Sequence, residues 1–221
     1  MTSEKQNILR RIREALTLPA SAPGHNHHGS NEPIAHWLPQ VGPGFEVQAD
    51  LFAHNSVQLK STFHLLEDEA AAAAKLAEIA RANAWQRVAS HGTPSTRAMV
   101  SALNLPTLWT DTGYDVREME QCDAGITECD ALVAQTGSVL VTGRSAGGRA
   151  LSVLPPHHVV LARRDQLVAD LPAAFGLLQR TYAEKYPSFI SFITGPSRTG
   201  DIERILVLGA HGPKALTILC W

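Results

Sequence analysis

The sequence predicts an α/β protein in which helices cover both faces of a central sheet, a three-layer α/β/α sandwich. The first indication is an alternation of short apolar runs with helical segments, which extends over about 150 residues. The second is the run ILVL at residues 205–208, which is entirely aliphatic, as is typical of strands buried on both faces. No internal repeat is visible and no GxGxxG follows the first predicted strand, so a dinucleotide-binding fold has no support.

Local signals predict the helices in chain order. A Ser3–Gln6 capping box and apolar residues at helical spacing predict a first helix, which Pro19 ends. Asp68 is the expected cap of an alanine-rich helix, and Thr93 with Pro94 is expected to begin another. The predicted helices cover residues 4–16, a segment starting near residue 33, and residues 45–54, 68–83, 93–103, 114–120 and 165–180.

Short β-branched and aromatic runs predict the strands. Two of these runs flank Thr136-Gly137 and are expected to form a β-hairpin. The predicted strands cover residues 62–66, 87–90, 131–134, 138–142, 158–162, 189–193, 205–208 and 215–220.

The domain organisation is predicted from composition. Residues 1–18 form an N-terminal helix, residues 19–32 (PASAPGHNHHGSNE) a flexible linker, and residues 33–221 the α/β domain. The linker histidines lack the cysteine or carboxylate spacing that would complete a metal site, so no metal site is predicted.

Composition excludes several function classes. The formal net charge of −2 gives no field that would attract nucleic acid. The N-terminus lacks the apolar core of a signal peptide and no apolar run approaches membrane-spanning length, so a cytoplasmic protein without a membrane span is expected. Three cysteines without a CxxC are too few for an iron–sulfur cluster, and no cofactor can be identified in this chain.

Two polar loops that follow predicted strands are the first candidate site, because ligands of open α/β sheets bind beyond the carboxyl ends of strands. Hydroxyls, glycines and an arginine in these loops suit a small anionic ligand such as a phosphate or carboxylate. Ordinary turn chemistry is the alternative. The residues concerned are Thr194, Gly195, Ser197, Arg198, Thr199 and Asp201 in the first loop, and Gly209, His211 and Gly212 in the second.

Two further loops contain glycines together with polar or basic residues. The segment His91-Gly92-Thr93-Pro94-Ser95 joins a strand to a helix, where the helix N-terminus either attracts an anion or is simply capped. The segment at residues 143–149 superficially resembles a phosphate loop but lacks its GK[ST] ending, so a flexible basic loop is expected instead.

A set of motifs gives the chain a resemblance to a known family. They are Ile126-Thr127, the segment AQTGSV at residues 134–139, LPPHH at 154–158, ITGPSRTGDIE at 193–203 and LGAHGP at 208–213. From about residue 51 to the end, the chain resembles the LUD-domain family, and within it the lactate utilization protein C type. The last two motifs are the specific ones.

This resemblance implies a fold of the NagB/RpiA/CoA-transferase-like type and a role in converting L-lactate to pyruvate. It further implies two iron–sulfur partner proteins, with this chain as the subunit of the complex that carries no cluster. Thr136, Gly137 and Ser138 fall on the family motif as substrate-binding candidates. Gln135 departs from the family pattern, which has an acidic residue there, and an amide cannot be the covalent nucleophile of a coenzyme A transferase.

Three functions remain open from the residues. In the first, the chain aids L-lactate oxidation by partners, with Arg198 gripping a carboxylate and His211 accepting a proton from a hydroxyl. In the second, it is a stand-alone enzyme on a sugar phosphate or acyl-coenzyme A, with Asp201, Glu203 or His211 moving protons. In the third, the polar loops form only a protein interface.

Overall fold

The computed structural model of the chain describes residues 4–17, 40–200, 206–208 and 212–221. The chain divides into two units, Met1–Leu38 and Pro39–Trp221. In the first unit, α1 spans Glu4–Thr17 and exposes the apolar side chains of Ile8, Leu9 and Ile12. The predicted linker and the helix predicted near residue 33 lie outside the described residues. Within the described ranges, no helix has both the length and the apolar character that a membrane crossing requires.

The second unit contains five helices within the described ranges. Two of the predicted caps are in place: the Asp68 side chain accepts from Ala71 N, and Thr93 from Thr96 N. Asp115, which no prediction marked, caps a third helix by accepting from Arg117 N. The helices are α2 (Phe45–Gln58), α3 (Glu69–Ala82), α4 (Pro94–Ser101), α5 (Val116–Glu120) and α6 (Leu171–Tyr182).

The prediction that a single helix covers residues 165–180 is wrong at its start. A short 3-10 turn (Arg164–Gln166) and a two-residue strand come first, and α6 begins only at Leu171. Asp170 caps α6 by accepting from Ala173 N, and Pro172 occupies its first turn. The Asp-Leu-Pro sequence is therefore the real start signal.

Six parallel strands form the main sheet, in the order β1-β12-β7-β4-β2-β3. The α/β fold class is thereby confirmed. The strands of this sheet are β1 (Thr62–Leu65), β2 (Val88–Ser90), β3 (Thr107–Trp109), β4 (Ala124–Glu128), β7 (His157–Ala162) and β12 (Ala215–Cys220).

A second sheet of four strands has the order β8-β5-β6-β9. The predicted Thr-Gly hairpin is confirmed here, since β5 and β6 pair antiparallel. The strands of this sheet are β5 (Ala131–Val133), β6 (Ser138–Thr142), β8 (Leu167–Val168) and β9 (Ile190–Ile193). Strands β10 (Arg198–Gly200) and β11 (Leu206–Leu208) form a separate antiparallel ribbon.

Two strands therefore lie elsewhere than predicted. The runs at residues 189–193 and 205–208 were expected to be strands of the open parallel sheet, but β9 pairs antiparallel with β6, and β11 pairs with β10. Only five residues separate β10 from β11, whereas parallel neighbours need a crossover of a dozen or more. The loops that follow these two runs are therefore not at the carboxyl edge of the main sheet.

The main sheet is covered on both faces. Alternate residues of β7 point to opposite sides: Val159 and Leu161 pack with α3 and α4, while Val160 and Ala162 pack with the second sheet and Phe52 of α2. Helix α6 covers the outer face of the second sheet. The three cysteines are buried, and burial raises the pKa of each thiol, that of Cys220 to about 11, so they pack as small apolar side chains.

Candidate functional site

The turn between β5 and β6 is held against the end of α2. Asn55 of α2 donates from Nδ2 to the carbonyl oxygens of Ala134 (2.8 Å) and Gln135 (3.1 Å). Gly137 N donates to Val133 O at 2.9 Å and closes the turn with a φ of 64°. These bonds fix the positions of Thr136 and Ser138.

Three hydroxyls from the two predicted segments meet at this turn. Ser138 Oγ donates to Thr136 Oγ1 and also bonds Thr194 Oγ1, both at 2.8 Å. Since the Ser138 proton is used in the first bond, Thr194 is the donor in the second. Ser138 is buried and Thr194 is exposed, so this hydroxyl cluster runs from the interior to the surface. The structure thus brings together Thr136, Ser138 and Thr194.

A cavity of about 130 Å³ lies beside this cluster. Ser197 and Gly212 meet at it because Ser197 N donates to Pro213 O at 2.9 Å, which joins the two predicted loops. Its wall combines two serine hydroxyls with apolar side chains. The lining residues are Ser152, Val153, Ile193, Gly195, Pro196, Ser197, Gly212, Pro213 and Leu216.

Arg198 borders the cavity from outside its lining. Its guanidinium donates to the carbonyl oxygen of Leu59, the residue that follows α2. A Cβ on Gly195, which does line the cavity, would lie 3.0 Å from Arg198 Nη2 and 2.8 Å from Leu59 O. Gly195 has a φ of 87°, so glycine is required here both for the backbone conformation and for the close approach.

The remaining predicted site residues belong to the two loops. Thr199 lies in the middle of β10. Asp201, Glu203, Gly209 and His211 lie outside the described residues. Their proposed roles therefore stay predictions.

The structure adds residues that no motif marked. Ser152 and Val153, from the 3-10 turn Ala150–Ser152 and the residue after it, line the cavity. Asn55 and Leu59, at the end of α2, do not line it but bond the β5–β6 turn and Arg198. None of these positions carries a sequence pattern of its own. Only the tertiary fold brings them to the site.

The segment at His91 is capped rather than open to an anion. Thr93 and Thr96 form a reciprocal capping box at the start of α4. Gly92 N donates to Asp111 Oδ1 at 2.9 Å. The backbone N–H groups of Gly92, Thr93 and Thr96 are thus bonded within the protein.

Replacing Gly137 tests the packing of the turn on α2. A Cβ at Gly137 would lie 2.8 Å from Asn55 Cβ and 2.9 Å from Leu59 Cδ1, and the φ of 64° strains any other residue. We expect Gly137→Ala to lower the free energy of unfolding by about 2 kcal/mol, measured by urea denaturation. The control is the same substitution in a Leu59→Ala background, which keeps the backbone strain at residue 137 and removes the Leu59 Cδ1 atom that the new Cβ would meet. The loss should be smaller there, and equal losses in the two backgrounds would contradict the packing argument.

Comparisons with known proteins identify the family and the fold of the chain. The model of the LUD domain matches residues 109–220. Lactate utilization protein C of Shouchella clausii is 38% identical over 109 residues, which are 48% of this chain and 48% of that protein. Lactate utilization protein C of Deinococcus radiodurans is 29% identical over 135 residues, which are 57% of this chain and 63% of that protein. The protein of the same description from Bacillus subtilis is 34% identical over 108 residues, which are 48% of this chain and 45% of that protein.

The chain thus matches about half of the length of the first of these relatives and less than two thirds of the other two. Among solved structures, a DUF162 family protein from Deinococcus radiodurans has a similar fold, with a TM-score of 0.64 at 18% identity. The similarity covers 81% of this chain and 99% of that chain.

Proposed function

Because the chain belongs to the LUD domain family, we propose that it acts in lactate utilisation, as the subunit without an iron–sulfur cluster of a system that oxidises L-lactate to pyruvate. The description shared by the relatives supports the role in lactate utilisation. The observation that carries a ligand-binding role is the cavity at Ser197, where the two loops with the most specific motifs meet.

The cavity matches a small hydroxy acid in size and in chemistry. A volume of about 130 Å³ holds a ligand of a few non-hydrogen atoms. Val153, Ile193 and Leu216 offer an apolar wall for a methyl group, and the Ser197 hydroxyl offers a donor to a ligand oxygen. Ser152 Oγ donates to Arg149 O at 3.1 Å, so it offers an acceptor for a ligand hydroxyl. L-Lactate has this combination of one methyl group with three oxygens.

Arg198 is the proposed partner of the carboxylate. A guanidinium has five N–H donors, one of which goes to Leu59 O. Paired hydrogen bonds from a guanidinium to a carboxylate are among the strongest recognition contacts in proteins. His211, Asp201 and Glu203 are the proposed proton-transfer groups, with His211 taking the proton of the ligand hydroxyl.

In this proposal, the electrons released by lactate oxidation pass to another protein. Oxidation of lactate to pyruvate removes two electrons and two protons, and side chains of the ordinary amino acids do not accept the electron pair. The electron acceptors are therefore proposed to be the iron–sulfur partner proteins, and this chain is proposed to bind and orient the substrate.

Calorimetric titration of the purified chain with L-lactate and pyruvate tests the binding role. We expect saturable binding that weakens about tenfold in Arg198→Gln, since a charged hydrogen bond contributes about 1.5–3 kcal/mol. Arg163→Gln, which removes an exposed arginine paired with Asp165 at 3.1 Å, should bind as the parent does.

Two outcomes would overturn this proposal. The first is the absence of binding by both acids. The second is binding by coenzyme A or a sugar phosphate with L-lactate inactive, which would favour a stand-alone enzyme.

A further inference from the structure

The neighbouring strands β2 and β4 leave the main sheet in opposite directions at their carboxyl ends. After β2 the chain enters α4, whose Met99 packs with Leu161 on one face. After β4 it enters β5, whose Leu132 packs with Val160 on the other face. A crevice between such diverging exits is where ligands of open α/β sheets bind. Of the candidate loops predicted from the sequence, the segment His91-Gly92-Thr93-Pro94-Ser95 lies here.

The wall of this crevice on the β4 side carries a carboxylate. Glu128, the last residue of β4, is half-buried, and its Oε1 accepts from Thr93 Oγ1 at 2.9 Å. Ser90 Oγ donates to Ile126 O at 2.8 Å and ties the ends of the two strands together. Glu128 and the segment after β2 are therefore held at fixed positions.

The wall on the β2 side carries an imidazole without hydrogen bonds. His91 is only 4% exposed, and neither of its ring nitrogens has a partner among the residues that the structure describes. Burial lowers the pKa of His91, against the opposing effect of the Glu128 and Asp111 carboxylates. A neutral imidazole has one N–H donor and one acceptor nitrogen, and leaving both unused in the interior is costly.

A glycine lies directly over His91. A Cβ at Gly147 would come within 2.3 Å of His91 Cβ, so no larger residue fits at this position. The loop that contains Gly147 is anchored at Ser145, whose hydroxyl donates to the Asp130 carboxylate. Gly147 O accepts from Thr110 Oγ1 at 3.4 Å, a long bond that a ligand entering the crevice can displace.

The charges of the crevice select against an anion. Glu128 and Asp111 both face His91 closely enough to affect its pKa, and Asp111 already accepts from Gly92 N and Arg97 Nη2. Within the described ranges, no three His, Cys, Asp or Glu side chains are grouped so as to hold a metal ion. Glu128 can accept a further hydrogen bond, and His91 has an unpartnered ring nitrogen. A neutral molecule with two neighbouring hydroxyls can donate to the carboxylate with one and bond the imidazole with the other.

We propose that the crevice between the carboxyl ends of β2 and β4 binds a neutral small molecule that carries adjacent hydroxyl groups. One hydroxyl donates to Glu128, and its neighbour bonds one of the two unpartnered ring nitrogens of His91. No residue of the Ser197 cavity takes part, so this site does not depend on the proposed binding of lactate.

Histidine side-chain NMR of the whole chain, titrated with glycerol, erythritol and D-ribose, tests this site. The His91 ring signal is identified by its loss in His91→Gln. We expect at least one of the three polyols to shift this signal saturably, and we expect L-lactate to leave it unchanged because of the two carboxylates.

Two carboxylate variants supply the matched comparison. Glu128→Gln keeps an acceptor for Thr93 and removes the charge, so polyol binding should weaken about tenfold, as expected for a charged hydrogen bond. Glu118→Gln removes an exposed carboxylate, paired with Arg87 at 3.1 Å, and should leave the affinity unchanged.

The proposal is overturned by any of three results. One is the absence of a saturable shift of the His91 signal with all three polyols. Another is unchanged polyol affinity in Glu128→Gln. The third is a saturable shift with L-lactate alone, which would make the ligand class wrong.

Discussion

The Gly125→Ala variant is expected to lose at least about 3 kcal/mol of unfolding free energy, because the added methyl group has no space. The new Cβ would lie 2.1 Å from the carbonyl oxygen of Leu151, 3.0 Å from its carbonyl carbon and 3.1 Å from Pro155 Cγ. These are mostly backbone atoms, which cannot turn away as the end of a flexible side chain can.

Neither partner in this contact can move at low cost. Gly125 lies in β4, which is hydrogen-bonded to β7 on one side and β2 on the other. Leu151 is fully buried in the 3-10 turn that also carries Ser152 to the cavity. A shift of this turn would therefore affect both the core and the candidate site.

Urea denaturation of the parent and of two glycine variants measures this effect. Gly143→Ala is the control, because its nearest atoms would be 3.9 and 4.0 Å from the new Cβ, and its stability should stay within about 1 kcal/mol of the parent. A stable Gly125→Ala protein would show that the turn after the 143–149 loop is free to move.

The sequence allowed most helices and the hairpin to be predicted because their signals are local. Asp68 and Thr93 cap the helices that they were expected to cap, and the Thr136-Gly137 turn joins the two strands that flank it. Each of these signals depends on residues within a few positions of one another, so no knowledge of the tertiary fold was needed.

The division of strands between two sheets could not be predicted in the same way. The apolar run of β9 is as compatible with a central parallel strand as with the edge of a second sheet, and only its pairing with β6 decides the matter. Strand β3 was missed, because TLW between Pro106 and Thr110 is too short to show a periodicity.

The two candidate sites differ in how much of each could be predicted from the sequence. The hydroxyls of Thr136, Ser138 and Thr194 lie in motifs and do meet in the structure. The crevice at His91 and Glu128 was visible only in part, because its position depends on the order of strands in the sheet. His91 directly follows β2, and Glu128 is the last residue of β4. Only the pairing of β2 with β4 shows that the two residues lie at the same place.

His158 is expected to make the protein strongly sensitive to acid. It is fully buried at the start of β7, and its Nε2 forms a hydrogen bond with Thr127 Oγ1 at 2.9 Å. Burial, assisted by the neighbouring His157, lowers the pKa of His158 from 6.5 to about 3. Because the folded state keeps this histidine neutral, the folded state is destabilised at any pH where the unfolded chain binds a proton at the same group.

The sign of the pH dependence follows from this difference in pKa. Above pH 6.5 the contribution of His158 to stability is fully present, and it is lost as the pH falls toward 3, since the unfolded state binds a proton that the folded state does not. Between pH 6.5 and pH 4.5 this single group is expected to remove about 2 kcal/mol from the free energy of unfolding.

Comparing unfolding free energies at pH 7 and pH 4.5 in the parent and in His158→Gln isolates this contribution. The amide can still bond Thr127, so the variant should fold and should lose about 2.5 kcal/mol less on acidification. The lowered pKa values of His64, His91 and His157 act in both proteins and cancel in the comparison. His54→Gln, at an exposed position of α2, should leave the parent's pH dependence unchanged. If His158→Gln did the same, the acid sensitivity would have to come from groups other than the buried histidine of β7.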